Sequence, residues 1–224
     1  QNSSTCNHPK QSHLLPFYIH HSPTYDEHGS KIDHTTDVVT FWIDNSDDHE
    51  STKDCHSIIA AIEWVIEKYV TNEQTRVIAP GQLTDFVGWA DGCGEQNKGR
   101  RTFRCLTELP SRHKGCFKSF VMNFACTGHF GGAWDTDCGR QCAKCFNCEK
   151  AAGTVNGKGK LLPTVRDIVG YLEAEMSVIL KKLREQQGGA VVENRDYTIN
   201  HRSFVCWDKD NPMPRQSGAK EADP

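Results

Sequence analysis

Residues 89–101 read WADGCGEQNKGRR. An apolar run, Phe86-Val87-Gly88-Trp89-Ala90, leads into Asp91. Glycines follow at 92 and 94, then the amides Gln96 and Asn97, then Lys98, Arg100 and Arg101. The pattern predicts a short strand that delivers one carboxylate at its end, with turn-forming glycines behind it. Positive charge then waits beyond the turn. In an open α/β sheet, functional groups gather at the carboxyl ends of the strands. The fold therefore turns on whether the surrounding chain supplies helices and parallel strands.

Upstream, Leu14–His20 and Asp37–Ile43 read as strands, the second rich in β-branched and aromatic residues, and the two are expected to form a hairpin across a polar turn region at 22–36. The acidic loop DNSDDHES spans 44–51. Ile58, Ile59, Ile62, Val65, Ile66 and Tyr69 then fall on one helical face. Residues 71–82 read as a loop and 84–90 as the strand before Asp91. Downstream, the basic stretch from Asn97 to Leu109 reads as a helix closed by Pro110, and Phe117–Ala125 as a strand. A glycine loop, GHFGG at 128–132, precedes a helix that begins near Trp134. Apolar residues from Val165 to Leu183 mark the strongest helix, opened by a Thr164/Asp167 capping box, and Tyr197–Trp207 reads as a final strand.

This order predicts an α/β fold, a mixed sheet flanked by helices. The expected organisation is a core over 1–152, a flexible linker over 153–160, a helix and strand over 161–207 packing on the core, and a disordered tail over 208–224.

The 224 residues carry a formal charge of −3, unevenly distributed. Residues 1–97 hold 15 acidic against 5 basic residues, and residues 98–224 hold 14 against 21. Between Lys98 and Lys118, seven basic residues face only Glu108. Such asymmetry points to an anionic partner, nucleic acid foremost, or else to a solvated basic helix. No apolar run approaches a membrane span, no apolar leader opens the sequence, and the first residue is Gln1, so a processed chain or a fragment is expected. The eleven cysteines read as reduced intracellular thiols.

Asp91 ends one predicted strand and Asp135 opens the helix after the next. Parallel neighbouring strands would bring both carboxylates to one edge of the sheet. Carboxylates there suit Mg²⁺ or Mn²⁺, and a metal pair clamps the attacking and leaving oxygens of a phosphoryl transfer. A basic helix alongside would hold a nucleic-acid backbone. The simpler alternative is an ordinary strand-end turn.

The stretches DGCGEQNKGRRTF and GHFGGAWDTDCG, with their spacing, resemble the RNase H-like domains of eukaryotic transposon-derived proteins of the DDE transposase type. LLPFYIHH, VVTFWIDNSDDHESTKDC, TVRDIVGYLEAEM and INHRSFVCW resemble other parts of those domains, so the likeness extends over about residues 10–207. The resemblance implies that Asp91 is the second catalytic carboxylate and Asp135 the third acidic residue, both Mg²⁺ or Mn²⁺ ligands. It implies that His129 of the glycine loop is structural or faces phosphate. Gln96, Asn97 and Lys98, with Arg100, Arg101 and Arg104, are then expected to face DNA. Where related sequences often place a Lys in the glycine loop, this chain reads GHFGG. The first catalytic Asp of such domains lies on a central strand before LLPFYIHH, so the resemblance also implies that this strand is absent from the sequence. A transposase- or integrase-like catalytic fragment is then expected, nuclear or otherwise intracellular, acting on DNA and working as a homo-oligomer. The alternatives are a transposase-derived nucleic-acid-binding or interaction module without catalysis, and a zinc-stabilised structural domain.

The zinc alternative rests on Cys138, Cys142, Cys145 and Cys148. Their spacing aligns them along one face of a helix, where a packed stripe of small apolar side chains is the plainer reading. His20, His21, His49 and His56 read as exposed histidines before they read as ligands, and Asp44, Asp47 and Asp48 as surface loop residues. Trp89 and Trp134 flank the candidate carboxylates and read as core residues, with base stacking as the alternative.

Overall fold

The computed structural model describes residues 12–33, 35–44, 55–76, 85–90, 99–125, 133–153, 159–175 and 198–214. The architecture is mixed α/β, and the chain divides into two compact units, residues 1–48 with 132–212 and residues 49–131 with 213–224.

The first unit is built on β4 (Thr35–Asp44), whose run of β-branched and aromatic residues, TTDVVTFWID, suits a strand covered on both faces. Residues 36–43 are all buried. On one edge β4 pairs antiparallel with β1 (Ser12–His20), from Ser12↔Asp44 to His20↔Thr36. On the other it runs parallel to β7 (Thr198–Trp207), giving the order β1-β4-β7. The ring of Phe41 lies between Phe17, 5.5 Å away edge-on, and Trp207, at 4.7 Å.

The predicted hairpin of β1 and β4 is therefore present, but the segment between its strands is more ordered than a turn. It holds a second antiparallel pair, β2 (Thr24–Tyr25) and β3 (Lys31–Asp33). Asp26 organises the reversal, its Oδ1 accepting from the backbone N–H groups of His28 and Ser30 at 2.9 and 2.7 Å, and Gly29 takes the positive φ of 79° that the turn requires.

The opposite face of the sheet meets two helices. The helix α3 (Ala133–Ala152) runs without a break, and α4 is helical over 165–175 as far as it is described. Thr164 caps the start of α4 and pairs with Asp167. Asp167 N–H donates to Thr164 Oγ1 at 3.1 Å, and the Thr164 hydroxyl donates to Asp167 Oδ2 at 2.6 Å. Trp42, Cys145, Leu162, Val165, Val169, Leu172 and Phe204 form one buried cluster that joins β4, α3, α4 and β7.

The second unit begins with α1 (Cys55–Ile66), which passes directly into one π-helical turn (Glu67–Thr71). Ile59, Ile62, Val65, Ile66 and Tyr69 are buried as the periodicity requires. A parallel pair follows, β5 (Asp85–Ala90) and β6 (Ser119–Phe124), joined by α2 (Arg100–Arg112). Pro110 does not end α2 as expected. A proline this late removes only the bond that Leu106 would accept, and His113 N–H resumes the ladder to Leu109 O at 3.0 Å. Among the described residues, no helix is long and apolar enough to cross a membrane.

Candidate nucleic-acid interface

The β5–α2–β6 unit carries the basic stretch singled out in the sequence. Its helix is amphipathic for a simple reason. Thr102, Leu106 and Leu109 recur at helical spacing and are buried, while Arg100, Arg101, Arg104 and Glu108 occupy the remaining faces and are exposed. The helix begins at Gly99, whose extended backbone places its carbonyl to accept from Phe103 N–H at 3.0 Å.

The basic residues divide by what they touch. Arg112 Nη1 meets Glu63 Oε1 at 2.5 Å, and Arg112 Nη2 donates to Cys105 O at 3.2 Å. His113 Nε2 lies 2.6 Å from Glu63 Oε2, so Glu63 ties α1 to the end of α2. Arg112 is thus committed to holding the unit together. Arg104 makes only an exposed i,i+4 pair with Glu108 at 3.1 Å, an interaction of a few tenths of a kcal/mol that a phosphate readily outcompetes. Arg100 and Arg101 make no ion pair among the described residues. The cationic face of α2 available to an anion is therefore Arg100, Arg101 and Arg104.

Two aromatic side chains stand at the carboxyl end of the parallel pair. Phe103 packs edge-on against Phe124 at 5.7 Å and remains 44% exposed. Trp89 lies opposite Asn123 and is 65% exposed, so its reading as a core residue is overturned. The reason is strand alternation. Phe86 turns to the face where it stacks on Phe120 at 5.3 Å, which sends Val87 and Trp89 to the other face.

Asp91, Gln96, Asn97, Lys98 and His129 lie outside the described residues, as do Asp47, Asp48 and His49. Asp135 lies in the first turn of α3, but its side chain, like that of Trp134, lies outside the described residues. Asp91 belongs to the second unit and Asp135 to the first. His20 Nδ1 sits 2.8 Å from Thr36 Oγ1, and His21 Nε2 lies 3.4 Å from the buried Asp37, so both are held by strand neighbours. Asp44 closes β4 and is half-buried.

One polar site was missed from the sequence. Two residues beyond Asp135, Asp137 Oδ2 accepts from Arg202 Nη1 at 2.6 Å and from Gln141 Nε2 at 3.1 Å. Gln141 Nε2 also reaches Thr40 Oγ1 at 3.3 Å. The Arg202 side chain is only 1% exposed. This network pins the first turns of α3 to β4 and β7. Its signal in the sequence is Arg202 itself, in register with Phe204 and Cys206 on the inward series of an otherwise apolar strand.

Cys138, Cys142, Cys145 and Cys148 all lie on α3 and are free thiols. At 1.5 Å per residue an unbroken helix spreads the outer two over about 15 Å, too far to close around one ion with Zn–S bonds of about 2.3 Å. Among the described residues, no group of three or more His, Cys, Asp or Glu is placed to hold a metal ion. The stripe is also not uniform, for Cys142 is exposed and Cys145 buried. Burial, reinforced by the neighbouring Cys142 and Cys148, pushes the Cys145 thiol up to about 11. Cys206 is raised to about 12 by burial and by its contact with Asp208. Both are protonated packing groups at neutral pH.

No protein-family model, curated protein or solved structure matches this chain.

Proposed function

We propose that this chain is the RNase H-like domain of a transposase-like protein and that it binds DNA through α2. The observation that carries the proposal is the exposed cationic face of Arg100, Arg101 and Arg104, which follows the Asp91 segment and begins the helix linking two parallel strands.

The sequence resemblance would make Asp91 and Asp135 Mg²⁺ or Mn²⁺ ligands, and such metals supply the charge that stabilises phosphoryl transfer to water or to a 3′-hydroxyl. The role of this chain's own basic residues is to neutralise phosphates and set the register of the strand. The chain is then expected to bind a labelled DNA duplex. No DNA binding at low salt would overturn the proposal. Mn²⁺-dependent nicking of supercoiled plasmid that disappears in Asp91→Asn would support the enzyme class. A non-catalytic binding module is the second reading, and it rests on the same face of α2. It prevails if Asp91→Asn and Asp135→Asn leave every activity of the full-length parent unchanged.

A further inference from the structure

An amphipathic helix turns its large apolar side chains to the core and leaves charge outside. One residue of α2 departs from that pattern. Thr102, Leu106 and Leu109 are buried, yet Phe103 is 44% exposed. At about 3.6 residues per turn, Phe103 borders the buried stripe, and Thr107, Arg100 and Arg104 follow it in that order around the outer surface. Arg100 is its neighbour three residues back, with about 5–6 Å between Cβ atoms, within the reach of an arginine side chain. The aromatic ring and the cationic face therefore share one surface of one helix.

The ring is held from one side. It meets Phe124 of β6 in an edge-to-face contact, with centroids 5.7 Å apart and planes at 76°. Such a contact uses an edge of one ring and one face of the other, so Phe103 keeps at least one face outside it. Phe124 is the last residue of β6, which fixes the ring at the carboxyl end of that strand. Open α/β sheets gather their ligands at that end. Opposing charge on the helix is small. Glu108 is the one carboxylate of α2, and it is already paired with Arg104.

A ring set beside guanidinium groups matches a polymer that carries a flat base next to each phosphate. A duplex keeps its base faces inside its own stack, so a ring meets them only where bases are unpaired. An acidic peptide would satisfy the arginines but give the ring nothing to stack on. From this juxtaposition we infer that Phe103 is a stacking residue for an unpaired nucleic-acid strand, whose phosphates Arg100 and Arg104 hold on the adjoining surface of α2. The inference rests on the nucleic-acid reading above and deepens it by naming the single strand as the form recognised.

The test compares fluorescein-labelled dT15, rU15 and a 15-base-pair duplex by anisotropy. The wild type should bind dT15 more tightly than the duplex. Phe103→Leu keeps an apolar side chain against Phe124 and removes the ring. It should weaken dT15 by about 5- to 150-fold, the range of one lost base stack, and change the duplex by less than about threefold. Phe103→Tyr, which restores the ring, should restore dT15 binding. Photocrosslinking of the wild type to dT15 carrying 5-iododeoxyuridine, read by peptide mass, needs no variant and should place the adduct on Phe103. An adduct elsewhere, or unchanged dT15 affinity in a folded Phe103→Leu, overturns the inference and leaves duplex binding by α2 standing. Polyglutamate that displaces dT15 as effectively as unlabelled dT15 does gives the surface to an acidic peptide and also overturns it. Absence of binding to every probe overturns the nucleic-acid reading as well. Equal affinity for dT15 and rU15 supports the inference for either backbone, whereas a preference for dT15 assigns the surface to DNA.

Discussion

Arg202 and Asp137 set the energetic stakes for single residues in this chain. The Arg202 guanidinium, with 1% of its side chain exposed, is met by Asp137 at 2.6 Å. Removing either partner takes away a charge that compensates a buried one. Arg202→Met or Asp137→Leu alone should cost about 3–5 kcal/mol in urea unfolding, whereas Arg202→Met with Asp137→Leu should recover most of the loss. Additive losses in that double-mutant cycle would show that the pair does not act as a unit. Gly159 makes a different kind of demand. A Cβ there would run into the backbone of α3 at Cys148 and Ala152. The strand of chain after it is fastened to the same helix, with Lys160 N–H donating to Cys148 Sγ at 3.3 Å and Leu162 N–H to Glu149 Oε1 at 3.1 Å. Gly159→Ala should therefore destabilise by about 1–3 kcal/mol, the range for overpacking. An unchanged melting temperature would mean that this segment does not pack against α3.

At the scale of elements, what could be read in advance followed from periodicity and capping, and what could not depended on long-range partners. The apolar spacing from Ile58 to Tyr69 located α1, and the Thr164/Asp167 pair located the start of α4. The β-branched and aromatic run Asp37–Ile43 identified β4 but could not tell that β7 would lie parallel to it, with Val38 paired to Arg202, 164 residues further on. The β2–β3 hairpin was missed because two and three residues carry no period, and its order comes from Asp26 and Gly29 rather than from apolar packing. Trp89 was read as a core residue, whereas strand alternation puts it on the face opposite Phe86, where it is 65% exposed. Of the candidate site, the basic helix was legible, because charge on one side and Leu106 and Leu109 on the other are local facts. The roles of Asp91 and Asp135 depend on how distant segments come together, which local pattern does not specify.

For the whole molecule, pH offers a probe of how α4 is tied to β7. Arg166 donates to both carboxylate oxygens of Asp208, at 3.0 and 2.9 Å, and these bonds, helped by the N–H groups of Asn211 and Asp210, lower the Asp208 carboxyl from 3.8 to about 2. A depressed carboxyl contributes stability that is present above 3.8 and is lost as pH falls through about 2. In the wild type the melting temperature should fall over that window, and Asp208→Asn should start lower and flatten this part of the decline. Parallel profiles for the two proteins would remove Asp208 from the acid transition. The distribution of charge acts at the same scale. A chain of net −3 binds DNA only where its cations are grouped, and among the described residues α2 groups three exposed arginines. The most direct test is therefore the salt dependence of duplex affinity for the wild type and for a triple variant with Arg100, Arg101 and Arg104 each changed to Gln. Each phosphate contact contributes about 0.9 to the slope of log K against log salt concentration, so the triple variant should bind more weakly with a slope shallower by about 2–3. An unchanged slope and affinity in a folded triple variant would contradict the claim that this face of α2 is the nucleic-acid interface.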